Sequence, residues 1–281
     1  MGQAVAVVTD STASLPASIA PAGLRIVPLT VQIGARSGAD VSEITADQIA
    51  EALRARRTVT TSRPTPAAFE AAYRQALDDG AGRVVSVHLS AELSGTWDSA
   101  RLAAQEFDYG QVRVVDSRST GMGLGFAVLA AAAAAARGAS ASGVQEAAVA
   151  TVDRTSCFFY LDTLEFLRRG GRIGAAQAML GTALSVKPLL YVRDGRILPL
   201  EKVRTSAKAI ARLLDLAVEA AGDGTVDVAV QHFAAPERVD AISDALRERL
   251  PALERLVTSE VGAAVGAHTG PGTVGVVVSR H

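Results

Sequence analysis

Through the first half of this 281-residue chain, short and nearly unbroken β-branched runs alternate with helical patterns, and that alternation restricts the fold more than any other feature. Residues 4–9 read AVAVVT, a continuous apolar run of the kind a strand carries when both of its faces are buried. Residues 25–33 (RIVPLTVQI) predict a second strand, with Pro28 marking an edge or an irregularity because it has no N–H to donate. Residues 83–89 and 111–115 predict two more. Between them lie a helix over 45–56 with Thr45 as its N-cap, and a helix from Thr65-Pro66 to Leu77 with its cap and first-turn proline written out. Further helices are predicted over 97–107 and over 125–137, the latter stopped at Gly138. Strands separated by helices predict an α/β unit with a parallel sheet covered on both faces.

The second half has a different rhythm. Residues 162–169 predict a short helix closed by Gly170-Gly171, where a left-handed cap is needed. A small-residue helix is predicted from Gly174 to about Leu184. Residues 188–192, Asp194-Gly195 and 196–200 spell a β-hairpin with an Asp-Gly turn. A helix over 206–221, a strand over 226–231, a helix over 236–250 and strands over 256–260 and 273–279 complete an α+β unit with a mixed sheet. The expected division is 1–155 for the α/β domain and 156–281 for the α+β domain.

Composition excludes several classes. Twenty-eight Lys and Arg against 29 Asp and Glu leave a formal charge of −1, which removes any global attraction to nucleic acid or to an anionic membrane. A single cysteine, Cys157, rules out an internal disulfide and a multi-cysteine zinc site, and it fits a reducing cytoplasm. The N-terminus has no basic segment followed by an apolar stretch, so no secretory signal is expected. The most apolar run, 124–136, is mostly alanine and shorter than the roughly 20 residues that span a bilayer. It reads as a buried or half-buried helix, and stable membrane insertion is not expected. The four histidines form no metal cluster in the sequence, so no metal is expected.

Ligands of open parallel sheets collect at the carboxyl ends of strands. Four predicted strand-to-helix junctions are rich in hydroxyls and glycine: Asp10-Ser11-Thr12, Thr60-Thr61-Ser62, the segment 90–96 (SAELSGT) and the segment 116–125 (DSRSTGMGLG). Such junctions make anion sites, although the same residues also cap helices. Ser94-Gly95-Thr96 is the most suggestive, since Gly95 admits a close approach and the two hydroxyls can donate to an oxyanion. The GMGLG run lacks the spacing of a dinucleotide fingerprint. Asp10 follows a strand as a phosphatase nucleophile would, but Thr12 stands where a second aspartate is needed, so a helix cap is the plainer reading. His88 reads as a core histidine. His268 and Thr269 lie in 266–273 (GAHTGPGT), which reads either as a loop that carries backbone and a polar side chain to a ligand or as a tight turn with an exposed histidine. Ser94 and His268 suggest a hydrolase, yet no nucleophile elbow is present. Cys157, followed by Phe158, Phe159 and Tyr160, reads as a buried thiol. Arg168, Arg169 and Arg172 cluster after a helix end, where they suit either the helix dipole or an anionic partner.

The motifs TDST (9–12), TSRPTP (61–66), LSGTW (93–97), VVDSRS (114–119), LDTLEFLRRGGRI (161–173), KPLL (187–190) and GAHTGPGT, in this order and spanning the chain, resemble the DegV family. The resemblance implies a bacterial protein that binds a long-chain fatty acid between an α/β and an α+β domain and has no cofactor. It implies a non-enzymatic role as the acyl-presenting subunit of a fatty acid kinase. A separate ATP-binding subunit then makes the acyl phosphate used in phospholipid synthesis. Carried over by motif, Thr61, Ser62, Ser94, Gly95, Thr96, His268 and Thr269 meet the carboxylate, while Arg172 and Arg204 serve the encounter with the kinase subunit. Arg63 and Trp97 depart from the family's usual Gln and Tyr. The chemistry is self-consistent: about 14 buried methylenes at roughly 0.8 kcal/mol each give about 11 kcal/mol before ordering costs. Small side chains leave room for such a tunnel. A stand-alone phosphatase or hydrolase using Asp10, or Ser94 with His268, is the competing expectation.

Overall fold

A computed structural model describes residues 4–179 and 186–281. The first half contains β1 (Val5–Asp10), β2 (Arg25–Val27), β3 (Thr30–Ile33), β4 (Arg36–Ala39), α1 (Ala46–Arg54) and β5 (Val59–Ser62). These lead into α2 (Pro66–Asp78), β6 (Arg83–His88), α3 (Thr96–Ala104), β7 (Val112–Asp116), α4 (Met122–Ala136) and α5 (Ala141–Asp153). The second half holds β8 (Thr155–Tyr160), α6 (Glu165–Arg169), β9 (Lys187–Arg193), β10 (Arg196–Val203) and α7 (Ser206–Ala221). It ends with β11 (Val226–Phe233), α8 (Val239–Arg249), β12 (Leu253–Glu260), α9 (Ala263–Thr269) and β13 (Thr273–Arg280).

Strands β2, β1, β6 and β7 form a four-stranded parallel sheet in that order. Successive residues serve opposite faces. Val8 and Val84 pack with Phe69, Tyr73 and Ala100 of α2 and α3, whereas Val7, Val85 and Val87 pack with Leu124, Ala127 and Val128 of α4 and with α5. This is the helix-covered sheet that the unbroken apolar runs require. The alanines of α4 let it lie close between this sheet and the next.

The second sheet is mixed, six strands in the order β10, β9, β8, β13, β11, β12, with only the β11–β12 pair parallel. One face is covered by α7 and α8 through Leu213, Ala217, Ile242 and Leu246. The other meets Met122 and Phe126 of α4 and bounds an apolar cavity. The Asp-Gly hairpin is present, with Asp194 at φ 49° and Gly195 at φ 79°, both left-handed as a tight two-residue turn demands.

Several expectations need correction. The single strand expected over 25–33 is two strands in two sheets. Pro28 falls between them, and β3 leaves to form a three-stranded antiparallel sheet with β4 and β5. Thr60, Thr61 and Ser62 therefore belong to a strand, not to a strand-to-helix junction. The stretch from Gly174 is a 3₁₀ turn over Gly174–Met179, and the predicted continuation to Leu184 lies outside the described residues. Of residues 266–273, expected as a loop, Gly266 to Thr269 belong to the short helix α9. Its glycines serve close packing: a Cβ on Gly266 would stand 2.2 Å from the Phe233 ring, and one on Gly270 2.1 Å from Phe166. Strand β8 escapes the sequence reading altogether. Among the described residues no helix is long and apolar enough to cross a membrane, and no group of His, Cys, Asp and Glu is placed to hold a metal.

Asp10 is a cap, as the plainer reading holds, and more. It is fully buried. Oδ1 accepts from the Thr12 N–H at 3.0 Å and the Thr12 hydroxyl at 2.5 Å, and Oδ2 lies 2.9 Å from His88 Nδ1 and accepts from the Leu89 N–H at 3.0 Å. His88 Nε2 continues to Ser86 Oγ at 2.6 Å, which accepts from Tyr73 at 3.0 Å. Asp10→Ala strands these buried groups, so chemical unfolding is expected to show a loss of about 3–5 kcal/mol. A loss below about 1 kcal/mol removes the network from the core.

Candidate functional site

Between the two sheets lies an apolar cavity with about 890 Å³ of free space, the solvent at its open mouth included. Its floor is the open face of the mixed sheet, where Phe159, Gly275 and Gln231 sit side by side on β8, β13 and β11. Leu29, Leu89, Leu93 and Leu167 supply much of the remaining apolar wall. None of these apolar positions was singled out from sequence, because a wall leucine and a core leucine look alike there.

One end is polar. Thr61 on β5, Ser94 before α3, Arg172 after α6, and His268 and Thr269 in the last turn of α9 all line the cavity. Thr61 Oγ1 and His268 Nε2 are hydrogen-bonded at 2.8 Å across 207 residues of sequence. Ser94 Oγ lies 2.9 Å from Thr96 Oγ1 and accepts from the Thr96 N–H at 3.3 Å. Arg172 donates from Nε to the Leu93 carbonyl at 3.0 Å and from Nη1 to the Gly170 carbonyl at 2.6 Å. Ser90 donates to the Gly195 carbonyl of the hairpin turn at 2.7 Å. The loop that carries Ser94 is thus held by contacts from the second half of the chain. His268 Nδ1 and the Thr269 hydroxyl are buried with no hydrogen-bond partner among the described residues.

The other sequence candidates sit apart from this group. Ser62 is exposed and does not line the cavity, and Thr96 is buried behind Ser94. Gly95 is the N-cap of α3, and the Arg63 guanidinium occupies the place a Cβ on Gly95 would take, 1.9 Å from Nη1. Arg204 is exposed just beyond β10 and lines no part of the cavity, whereas Arg172 does. Asp10 is enclosed and fully hydrogen-bonded, which leaves it no access to a substrate. Ser94 and His268 share the cavity but bond to Thr96 and Thr61, so a nucleophile–base hydrogen bond is not formed among the described residues.

The electrostatics are simple. Withdrawal from water, reinforced by the Arg172 charge, lowers the His268 pKa from 6.5 to about 4, so the imidazole is neutral near pH 7. Burial pushes the Cys157 thiol up to about 12, and it stays protonated. Arg172 is then the one formally charged side chain among the described residues that line the cavity. An apolar interior with one cation and several neutral donors at one end complements an amphiphile with an anionic head.

Fold and cavity together define an α/β protein with an apolar cavity between two sheets. The chain belongs to the DegV family: that family's pattern, described as "Uncharacterised protein, DegV family", matches residues 4–281. The DegV domain-containing protein SCO2569 of Streptomyces coelicolor is 54% identical over 280 residues, covering 99% of each chain. Among solved structures, a DegV family protein from Thermus thermophilus, solved as a fatty-acid-binding protein, superposes with a TM-score of 0.92 at 36% identity and covers 99% of this chain and 100% of its own. DegV of Bacillus subtilis, a fatty acid binding protein, superposes with a TM-score of 0.89 at 31% identity over 99% and 100%.

The lowered pKa of His268 sets a pH dependence. The folded chain keeps this histidine neutral where the unfolded chain takes up a proton. Its contribution is therefore full above about pH 6.5 and declines as pH falls toward about 4. Urea unfolding of ligand-free protein is expected to lose up to about 1.4 kcal/mol per pH unit from this residue across that interval. His232 is also held low by burial, so the comparison is with His268→Gln, whose profile should be flatter. Superimposable profiles place His268 in contact with water.

Proposed function

We propose that the protein binds a long-chain fatty acid in this cavity and presents its carboxylate to a separate ATP-dependent kinase subunit, which forms an acyl phosphate destined for phospholipid synthesis. The observation that carries the reading is the apolar cavity lined at one end by Thr61, Ser94, His268, Thr269 and, among the described residues, one cation, Arg172. Fatty acid binding in the Thermus and Bacillus relatives supports it. In this reading the chain divides into 1–155 and 156–281, the acyl chain lies between the two parts, and Gly95, Thr96 and Ser62 support the headgroup end. The chain itself performs no chemistry and needs no cofactor or metal. Its ATP-dependent partner places it in the cytoplasm.

A neighbouring cleft favours a phosphate-bearing partner. Arg56, Arg57 and Arg169 line it together with Thr61, Arg172 and His268, so it adjoins the polar end of the cavity. Arg56 and Arg57 have no ion pair among the described residues, while Arg169 pairs with Glu165. Cations beside the carboxylate suit the charge that builds during phosphoryl transfer.

Mass spectrometry of gently purified protein should find a co-purified C14–C18 acid. In calorimetry on delipidated protein, Ser94→Ala should weaken binding by about 1.5–3 kcal/mol through loss of a charge-assisted hydrogen bond. Unchanged affinity removes Ser94 from the headgroup site.

The two arginines should separate. Arg204→Ala should slow acyl phosphate formation with the partner present and leave fatty acid affinity within about threefold, since a rim charge acts mainly on encounter. Arg172→Ala should impair both, because Arg172 lines the cavity as well. Equal losses of binding and turnover in Arg204→Ala assign it to the lipid site.

A further inference from the structure

We infer that the cavity contains a second, uncharged hydrogen-bonding station, Thr120 with Gln231, that selects an acyl chain bearing a hydroxyl or keto oxygen along its length. The inference rests on the fatty acid reading above and deepens it.

Nine buried side-chain polar atoms lack a partner among the described residues, and four of them belong to residues lining this one cavity. Two of those four, on His268 and Thr269, stand at the headgroup end. The other two, Thr120 Oγ1 and Gln231 Nε2, make no hydrogen bond with that cluster, and Gln231 is tied instead to the start of α4. Orphaned buried donors are rare in native proteins because nothing repays their desolvation. Their concentration at a cavity points to a ligand that supplies the missing acceptor.

Gln231 lies within β11 and is 5% exposed. Its Oε1 accepts from the Met122 N–H at 3.0 Å. That bond fixes the amide, since a flipped side chain would set its NH₂ against the Met122 N–H. Nε2 is left with its donors unused. The backbone is shaped to keep the amide there. Gly121 adopts φ 58°, and a Cβ on it would stand 2.7 Å from Gln231 Oε1 and 2.9 Å from Nε2. On the opposite side Gly275 pairs with Gln231 in register and leaves the floor open beside it.

The chemistry of the missing group follows. Thr12 also lines the cavity, but its hydroxyl is committed to Asp10 at 2.5 Å, so it does not compete for the ligand. An amide NH₂ donates only, and a threonine hydroxyl donates or accepts. Arg172 is the one formal charge among the described residues that line the cavity and belongs to the headgroup end, so the matching ligand atom is neutral. A hydroxyl or ketone oxygen meets those terms, and a plain methylene chain leaves both donors stranded.

The test is calorimetry on delipidated protein with octadecanoate and a positional series of hydroxy- and oxo-octadecanoates. At least one positional isomer should bind about tenfold more tightly than octadecanoate. Thr120→Val and Gln231→Met should each reduce that advantage, taken as the ratio of the two affinities in the same variant, to about twofold or less. Thr120→Val is isosteric and leaves the Met122 cap intact, so it decides the matter if the Gln231 variant does not fold. The inference is overturned if no isomer exceeds octadecanoate by more than about twofold, or if the advantage survives Thr120→Val. Tight octadecanoate binding without any preference sinks the second station alone. No binding of any member sinks the fatty acid reading with it.

Discussion

The placement of the polar end depends on one buried carboxylate. Asp40 is 2% exposed, and burial raises its pKa against the pull of its hydrogen bonds. It accepts from the Ser11 hydroxyl at 2.7 Å and from the Ala264 N–H at 3.1 Å, and the Ser11 oxygen in turn accepts from the Leu29 N–H at 3.1 Å. Those contacts tie the end of β1, the start of the small antiparallel sheet and the first turn of α9 into one unit. A carboxylate at a helix N-terminus is favourably placed against the free N–H groups there. Because α9 carries His268 and the small sheet carries Thr61, the 2.8 Å contact between them inherits its geometry from Asp40. The Asp10 network lies at the adjoining end of β1. Hydrogen bonds, without an ion pair among the described residues, compensate Asp40.

Small residues complete the arrangement. Ala263, Ala264 and Ala267 pack α9 into the core formed with Val31, Ile33, Ile49 and Leu53, so the small sheet of the first half shares its core with a helix of the second. Glycine at 266 and 270 lets that helix approach Phe233 and Phe166. Larger side chains there would push His268 out of line with Thr61. The same economy of volume leaves the space between the sheets unfilled. The cavity is a consequence of where bulk is omitted, at Gly121 and Gly275 as much as at Ala264.

Elements whose pattern is local were legible. The apolar runs of β1 and β6, the Thr65-Pro66 start of α2, the Asp194-Gly195 turn and the bounds of α7 all depend on neighbours a few residues away. What escaped depends on distant partners. Pro28 signals a break, but only the tertiary fold shows that β2 and β3 join different sheets. Strand β4 reads RSGA and has no strand signal of its own, forming because β3 offers it a partner edge. The 266–273 segment was read as loop because glycine commonly marks loops, whereas Gly266 answers to the Phe233 ring. Thr61, Ser94 and His268 were individually visible as polar residues in unusual contexts. Arg172 was visible only as part of a basic cluster, and Gln231 not at all, since an amide inside a strand pattern looks like its solvent face.

On the proposed reading, the polar end holds an anion loosely. Arg172 spends its Nε–H and one Nη1–H on the Leu93 and Gly170 carbonyls, so the side-on pair of donors, Nε with Nη2, is not free to clamp a carboxylate. His268, neutral near pH 7, adds a hydrogen bond without a second charge. Thr61 and Ser94 add hydroxyls. On the proposed reading, affinity then comes chiefly from the buried chain, and the head contributes orientation. A carboxylate neutralised by a close ion pair is a poor nucleophile, because its charge must be drawn away from the cation before it can attack phosphorus. One held by neutral donors beside a partly committed guanidinium keeps that charge. A weak head and a strong tail thus suit a protein that must retain the acyl chain while surrendering the oxygen to another subunit's phosphate.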